Sequence, residues 1–412
     1  MGKLFALASR NLFRNGRRTL ITLAAIGFGL GLVLWTLNLT YGQYDAMTRG
    51  AISQLAGHVV VQADGWQEER DDAFRVEGAS EVAASLAEMF PDAVITQRAV
   101  LQGLLVAPDG SSAVGLSAVD PEPEARVSDL SGKLVEGAWL AADDDRGILI
   151  GAAMAEALDV GIGDKLVYMG QHGGDEVASR LFRVRGVFRT GAAEMDGFLA
   201  IGHLAAAQEL MEQPDTAHQI AAHFDGVGGS IAAAEQAKES LTVAGLEVLS
   251  WREAVPEVAA MIEVDKLSNH IFLFIIGVIV AMGVLNTVLM SVLERTREFG
   301  VMLSIGMRPH RVAGIVLLEG LVLGVLGSVS GLLFGLLMTW PTVVYGLDFG
   351  TWMGGESMDA GGVIIDTVIR AGWDVERMTV ATLLTVIGTV LAAIWPAYHV
   401  AHLRPVDALK HV

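Results

Sequence analysis

Apolar residues gather along this chain in four long runs, Leu20–Leu39, Ile271–Leu293, Val312–Trp340 and Met378–Trp395, each free of Lys and Arg. A helix needs about 20 consecutive apolar residues to cross a bilayer, so every run is long enough to span. The spacing is uneven, with one run near the start, a long stretch of mixed polarity, and three runs in the last third. The pattern predicts a polytopic α-helical membrane protein with four transmembrane helices and a large α+β extracytoplasmic domain inserted between helices 1 and 2.

Where the runs meet the inserted stretch, helical spacing continues. Tyr44, Met47, Ala51 and Leu55 recur at helical intervals after Leu39, so the first span is expected to extend as an amphipathic stalk before Gly57. Neither Gly nor Pro occurs from Glu257 to Ile276, and Val258, Met261 and Ile262 mark one face of a second stalk entering the second span. Between the stalks the period changes. Strands are expected at His58–Gln62, Gly147–Ile150, Lys165–Met169 and Leu181–Phe188, the last alternating Phe182 and Val184 against Arg183 and Arg185. Helices are expected at Ser80–Phe90, with Val82, Leu86, Met89 and Phe90 on one face, and at Leu204–Met211. Pro121–Glu124 and Gly226–Gly229 punctuate the stretch and suggest two lobes, one from its two ends and one from its middle.

The resulting division is a basic amphipathic terminus at 1–19, the first span and stalk at 20–56, the inserted domain at 57–254, and the second stalk and span at 255–293. A charged turn follows at 294–311, then the third span at 312–340, a loop at 341–377, the fourth span at 378–398 and a tail at 399–412.

Composition agrees, with 52% hydrophobic residues and 48 glycines in 412. Charge adds orientation. Lys3, Arg10, Arg14, Arg17 and Arg18 precede the first span with no acid among them, Arg295, Arg297, Arg308 and Arg311 occupy the charged turn, and Arg404 and Lys410 lie in the tail. The positive-inside rule places all three segments, and both termini, in the cytoplasm. A signal peptide has the same order of basic flank and apolar core, but this run is too long and no small-residue cleavage site follows Leu39. The absence of cysteine excludes a disulfide and a lipid-attachment cysteine.

The segment Tyr41–Asn269 holds 15 Lys and Arg against 37 Asp and Glu, a net charge of −22 beside −19 for the whole chain. An acidic exterior argues against nucleic acid and anionic headgroups as partners. A solvated surface accounts for it; a basic partner is the alternative.

Chemistry-bearing motifs are missing. Gly2-Lys3 and Gly132-Lys133 are each followed by Leu, so there is no phosphate loop. The stretch Gly161–Lys165 is glycine-rich but follows a helix and precedes a strand, the reverse of a phosphate cradle, and reads as a tight turn. The ten histidines form no H-E-x-x-H, His399 and His402 sit at a helix end, and no G-x-S-x-G elbow occurs. No catalytic residue, metal site or bound cofactor is expected in this chain.

In the third span Gly320, Gly324, Gly327, Gly331 and Gly335 make a smooth face that lets a helix approach closely. A sliding or dimerising surface and static packing within one subunit both fit it. Glu319 is the acid of that span, shallow enough to bond a neighbouring helix, with a proton relay as the other reading.

The charged turn from Glu294 to Arg308 has a charged start, an apolar stripe of Val301, Met302 and Ile305, and a glycine stop at Gly306. These features predict a short helix across the ends of two spans, able to dock into a groove on another protein. The segment resembles the coupling helix of ABC transporter permeases of the FtsX, MacB and lipoprotein-releasing LolC/LolE type. Glu319-Gly320-Leu321, Pro396-Ala397, Leu403–Leu409 and the opening Ser9–Leu12 with Arg17-Arg18-Thr19 fit the same pattern. Leu181–Phe188, Glu194–Gly197 and Ala206–Met211 are similar to the external domain of the lipoprotein-releasing permeases.

The resemblance covers nearly the whole chain, and it implies a MacB-like periplasmic core domain, an inner-membrane location and a mechanical role. A separate ABC ATPase in two copies would bind ATP and Mg and grip the turn at Glu294, Arg297, Glu298, Gly300, Met302, Leu303, Gly306 and Arg308. A second permease copy or a homologous permease would complete the complex. Lipoproteins would be taken from the outer leaflet and passed to a periplasmic carrier held by a hook loop, which matches Met169–Arg180. This chain departs there, since the loop carries Gly170, His172, Asp175 and Glu176 and no proline. Pro341–Arg377 also departs, and is expected to rest on the membrane, to lie against the external domain, or simply to connect. The function so implied is lipoprotein extraction; the alternatives are MacB-like export of peptides or amphiphilic drugs and FtsX-like signalling to cell-wall hydrolases. A membrane-anchored enzyme without an ATPase is a further class, which the coupling turn argues against.

Overall fold

The computed structural model describes residues 16–69, 71, 73–171, 177–226, 228–241, 244–353, 358–360, 363–365 and 367–403. Five helices organise the membrane part and its turn: α1 (Gly16–Gly50), α2 (Pro256–Glu294), α3 (Thr296–Ser304), α4 (Pro309–Val344) and α5 (Val375–Ala401). Four of them, all but α3, are long and apolar enough to cross a membrane. They overrun the predicted spans because helical propensity does not stop at the bilayer surface. Pro309 takes the first position of α4, where its missing N–H costs nothing, and Asp374 caps α5 by accepting from the Arg377 N–H at 2.9 Å.

The chain forms two compact units. One holds the residues up to Gln43, Val264–Leu347 and those from Ile369 on; the other holds Tyr44–Glu263 and Asp348–Val368. The inserted domain is thus larger than 57–254, and it takes in most of the segment between the last two spans.

In the membrane unit the glycine face of α4 is occupied by the same chain. Ile26, Leu30 and Leu34 of α1 meet Gly327, Gly331 and Gly335 at matching four-residue intervals. A Cβ on those glycines would stand 2.6 Å from Ile26 Cγ2, 2.7 Å from Leu30 Cβ and 2.9 Å from Leu34 Cβ. Gly320 and Gly324 face Ala393 and Thr389 of α5 in the same way. This face is therefore packed within the chain, at a distance that leaves no room for side chains on these glycines. By contrast the membrane stretch of α2 is largely uncovered within its unit, with Phe274, Ile275, Ile279 and Met282 exposed.

Asn38 closes the other end of this packing. Fully buried, it donates through Nδ2 to Thr339 Oγ1 of α4 at 3.3 Å, and its Oδ1 accepts from the Asp374 N–H at 3.1 Å. A buried amide in an apolar bundle is stable only with such partners.

The external unit is built on ten strands: β1 (Val59–Ala63), β2 (Val94–Ala107), β3 (Gly110–Val119), β4 (Leu134–Gly137), β5 (Gly147–Gly151), β6 (Lys165–Gln171), β7 (Val177–Phe188), β8 (Leu199–His203), β9 (Gln219–His223) and β10 (Leu246–Ser250). Their order is β10-β1-β9-β2-β3-β8-β5-β7-β4, with β6 joined to both β2 and β7. Consequently β2, β3, β8, β5, β7 and β6 close a ring, in which β3 with β8 and β5 with β7 are parallel. Its core gathers Leu101, Leu105, Leu116, Tyr168 and Phe182. Residues from the two ends of the segment form the antiparallel β10-β1-β9-β2 part. Helices Ala79–Met89 and Ser230–Ser240 cover one of its faces. The long β2 belongs to both parts, which are the two lobes expected from the punctuation of the chain.

Alternation along β1 shows how the lobe meets the stalk ends. Val59 and Val61 enter the helix-covered core, while Val60 turns to the cluster of Tyr44, Met47, Ala51, Trp251, Val255, Val258 and Ile262. Met261, read from sequence as part of that stripe, is half exposed and faces away. The end of the first stalk is also not regular: Ala51–Leu55 is a π turn, with the Ala56 N–H bonded to Ala51 O at 3.0 Å.

Candidate functional site

The short helix α3 begins one residue after α2, and the break is filled by an ion-pair network. Arg295 donates through Nη1 to Glu319 Oε1 of α4 at 2.7 Å and through Nε to Glu298 Oε2 at 3.0 Å, and its guanidinium lies 5.0 Å from the Phe299 ring centre. Both Arg295 and Glu319 are nearly buried, at 11% and 5% side-chain exposure. Burial opposes the charge on Arg295, but Glu319 and Glu298 outweigh it and hold its pKa above the ordinary value. Thr296 Oγ1 adds hydrogen bonds to the Val292 and Leu293 carbonyls at the end of α2.

The other end of α3 is closed by Gly306. Its N–H bonds to Leu303 O at 3.1 Å and the Met307 N–H reaches back to Met302 O at 3.0 Å, the paired bonds of a left-handed glycine cap. The cap needs φ +93° at Gly306, a conformation that costs other residues energy.

These two anchors decide which face of α3 is free. Phe299 is fully buried with Val288, Val292, Val316 and Ala397, and Met302, Leu303 and Met307 pack against that cluster. Gly300 is also buried. Arg297, Val301, Ser304, Ile305 and Arg308 face outward, with Ile305 at 78% exposure. Of the eight residues singled out for partner contact, Arg297 and Arg308 therefore lie on the free face, Glu294 is exposed at the end of α2 and Gly306 at the cap. Glu298 holds Arg295, while Gly300, Met302 and Leu303 are turned inward. The exposed apolar stripe of α3 is Val301 and Ile305 without Met302.

Glu319 bonds a neighbouring segment, as its depth in the span suggested. Sequence reasoning uses Arg295 only as a topogenic charge and passes over Asn38; Glu319 beside Arg295, and Thr339 and Asp374 beside Asn38, are distant in the chain, so no local pattern marks these bonds.

Other residues carry less. Gly170 is a buried position of β6, whereas His172, Asp175 and Glu176 lie outside the described residues. Arg180, beyond them on β7, pairs with Asp145 and Glu209. Pro396 and Ala397 are buried in α5, and the tail from Arg404 and the opening Ser9–Leu12 lie outside the described residues.

The external unit has a polar interior of its own. Arg98 of β2 and Glu124, both almost fully buried, form a two-bonded pair at 3.0 and 2.8 Å, and Arg98 Nη2 also donates to Ser53 O of the π turn at 2.9 Å. Nearby, His58 Nδ1 accepts from the Phe224 N–H at 3.0 Å and its Nε2 donates to Gly226 O at 2.6 Å, and His223 Nε2 bonds Thr96 Oγ1 at 3.0 Å. Burial lowers the pKa of His58 against the bond to Gly226. Burial, with the charges of Arg98 and His58, lowers that of His223 well below the ordinary value.

A bundle of four spanning helices, an inserted α+β domain and an anchored surface helix between the second and third spans define a transporter permease. The chain belongs to the FtsX/MacB/LolC–LolE family of ABC transporter permeases: residues 19–242 match the MacB-like periplasmic core domain and residues 270–405 the FtsX-like permease C-terminal region. It is 25% identical over 427 aligned positions to the lipoprotein-releasing system transmembrane protein LolC of Xylella fastidiosa strain 9a5c, covering 97% of this chain and 95% of that one. It is 23% identical over 311 positions to the lipoprotein-releasing system transmembrane protein LolE of Haemophilus influenzae strain Rd, covering 72% of each. A macrolide export ATP-binding/permease protein, MacB of Nitrobacter winogradskyi, is 35% identical over 129 positions, 31% of this chain and 16% of that one.

Proposed function

We propose that this chain is the membrane subunit of a lipoprotein-releasing ABC transporter of the inner membrane, with both termini cytoplasmic and the large domain periplasmic. A separate ATPase, present in two copies and carrying the ATP and Mg that this chain does not bind, docks on the free face of α3. A second permease, identical or homologous, covers the exposed stretch of α2. The observation that carries the reading is the anchored α3 helix. An apolar pair, Val301 and Ile305, is presented between Arg297 and Arg308 on a helix held at one end by Arg295–Glu319 and at the other by Gly306. A push on such a helix reaches α4 through a bonded charge instead of being absorbed by a loose loop.

Support for the cargo comes from the likeness to LolC over nearly the full length of both chains. A groove of about 550 Å³ among α1, α2 and α5 also suits it. Its lining is apolar at Leu30, Val33, Phe274 and Leu384, with His270, Glu376 and Arg377 also on its wall, as an amphiphile with hydrocarbon chains and a polar head requires. The periplasmic carrier is the expected acceptor of the released lipoprotein, although the loop around Gly170 lacks the family's proline.

The test is reconstitution with the partner ATPase in nanodiscs. ATP hydrolysis stimulated by a triacylated lipoprotein is expected. Stimulation by unlipidated peptides or hydrophobic drugs alone would establish export of the MacB kind, and capture of an external hydrolase with no substrate stimulation would establish signalling.

A further inference from the structure

The last carbonyls of a helix have no N–H ahead of them in the chain. At the end of the first stalk two of these, Ser53 O and Gln54 O of the π turn, accept instead from the Arg98 guanidinium, at 2.9 Å from Nη2 and 3.4 Å from Nη1. The same group donates through Nε and Nη2 to Oε2 and Oε1 of Glu124, at 3.0 and 2.8 Å. One planar fork thus caps the stalk and binds a carboxylate at once. A cation suits this end of a helix dipole, and π turns are frequent at functional sites.

Arg98 sits where the two lobes join. In the register of β2 it stands opposite Gln219 of β9 and opposite Val119 of β3, so the ladder of the end lobe and the ladder of the ring overlap at this residue. Glu124 belongs to the short helix Pro121–Val127 that follows β3. Trp139 Nε1 donates to Pro121 O at 3.0 Å, which ties that helix to the segment after β4. Stalk end, shared strand and ring lobe therefore meet on two charged side chains, 4% and 7% exposed.

Stability gives little reason for such a pair, because replacing a buried ion pair by apolar side chains of similar volume is often neutral. Direction is what it adds. Ala51 and Ile52 share an apolar cluster with Val60 and Trp251, but apolar contact is non-directional and tolerates sliding, whereas the arginine fork fixes the angles of its bonds. We propose that Arg98, oriented by Glu124, is the positioning residue through which displacement of the first stalk reaches both lobes. The role rests on the transporter reading above.

The chain has no cysteine, so spin labels on Arg49→Cys of the stalk and Ser111→Cys at the far end of β3, both exposed positions, report the stalk-to-lobe distance. In the full-length protein in nanodiscs with the partner ATPase, the doubly labelled parent should give one narrow distribution, the same with and without ATP. Two variants break the clamp. Arg98→Lys leaves a point charge that cannot serve Glu124 and both carbonyls together, and Arg98→Met with Glu124→Leu removes both charges while keeping apolar volume, so that the domain stays folded. In each, ATP should shift and broaden the distribution. Lipoprotein release per ATP hydrolysed should fall about tenfold, within the range of coupling between distant sites, at unchanged basal hydrolysis. Where lipoprotein stimulates the parent's hydrolysis, a parent distance that moves with ATP, variants that match the parent, or broadening that is equal without ATP would overturn the proposal. Parent hydrolysis that no lipoprotein stimulates would overturn the transporter reading, and the role in transport with it.

Discussion

Arg295, just past the end of α2, and Glu319, about two turns into the apolar run of α4, are joined by a 2.7 Å hydrogen bond between nearly buried side chains. The pair ties the start of α3 to α4. Replacing the carboxylate with an amide, Glu319→Gln, leaves a buried cation with Glu298 as its remaining acid. The expected cost is about 1–3 kcal/mol, read as a lower thermal midpoint in nanodiscs, together with weaker stimulation of ATP hydrolysis.

The free face and the anchored face of α3 should separate in mutagenesis. Val301→Asp and Ile305→Asp change exposed positions and should alter stability by no more than about 0.5 kcal/mol, yet abolish co-purification of the ATPase. Phe299→Ala opens a cavity in the bundle and should cost about 3–5 kcal/mol. Normal ATPase capture by the Asp variants would place docking elsewhere.

At Gly306 the backbone carries φ +93°. Gly306→Ala should cost about 1 kcal/mol through strain at the cap, and ATPase stimulation should fall more than ATPase binding does, because the helix end frays while the docking pair remains. Equal losses in both assays would count against a separate role for the cap.

Packing of Gly331 against Leu30 predicts that Gly331→Leu destabilises the monomer by about 1–3 kcal/mol through overpacking. The number of permease copies per complex should not change, since this face is filled from within the chain. Mass photometry of the reconstituted complex reads the stoichiometry directly.

The pH dependence has a defined sign. His58 and His223 have folded pKa values below the ordinary 6.5, so the unfolded chain takes up protons that the folded domain does not. Their contribution is intact above pH 6.5 and is lost as the pH falls through the interval toward the folded values. His223→Gln should flatten the fall in thermal midpoint measured between about pH 7 and about pH 5.

Much of this architecture is legible in the chain. Span length follows from local hydropathy, and the strand at Leu181–Phe188 from its alternation. The stalk at Tyr44–Leu55 follows from helical spacing, which holds up to the π turn. The coupling turn was legible as an amphipathic helix with a glycine stop, but its orientation was not: Met302 and Val301 are adjacent and equally apolar, and only the neighbouring helices decide that Met302 turns inward. The glycines of α4 announce close packing without naming the partner.

The amino-acid order by itself determined four spanning helices, the inserted domain, the capped turn and the family resemblance, because each rests on periodicity or composition within a few turns of chain. Tertiary structure alone decided that Arg295 finds Glu319, that Leu30 seats on Gly331, that six strands close a ring, and that Arg98 holds the end of the first stalk. Those pairings join residues separated by tens to hundreds of positions, and their energy comes from burial and bonding that exist only once the elements have met.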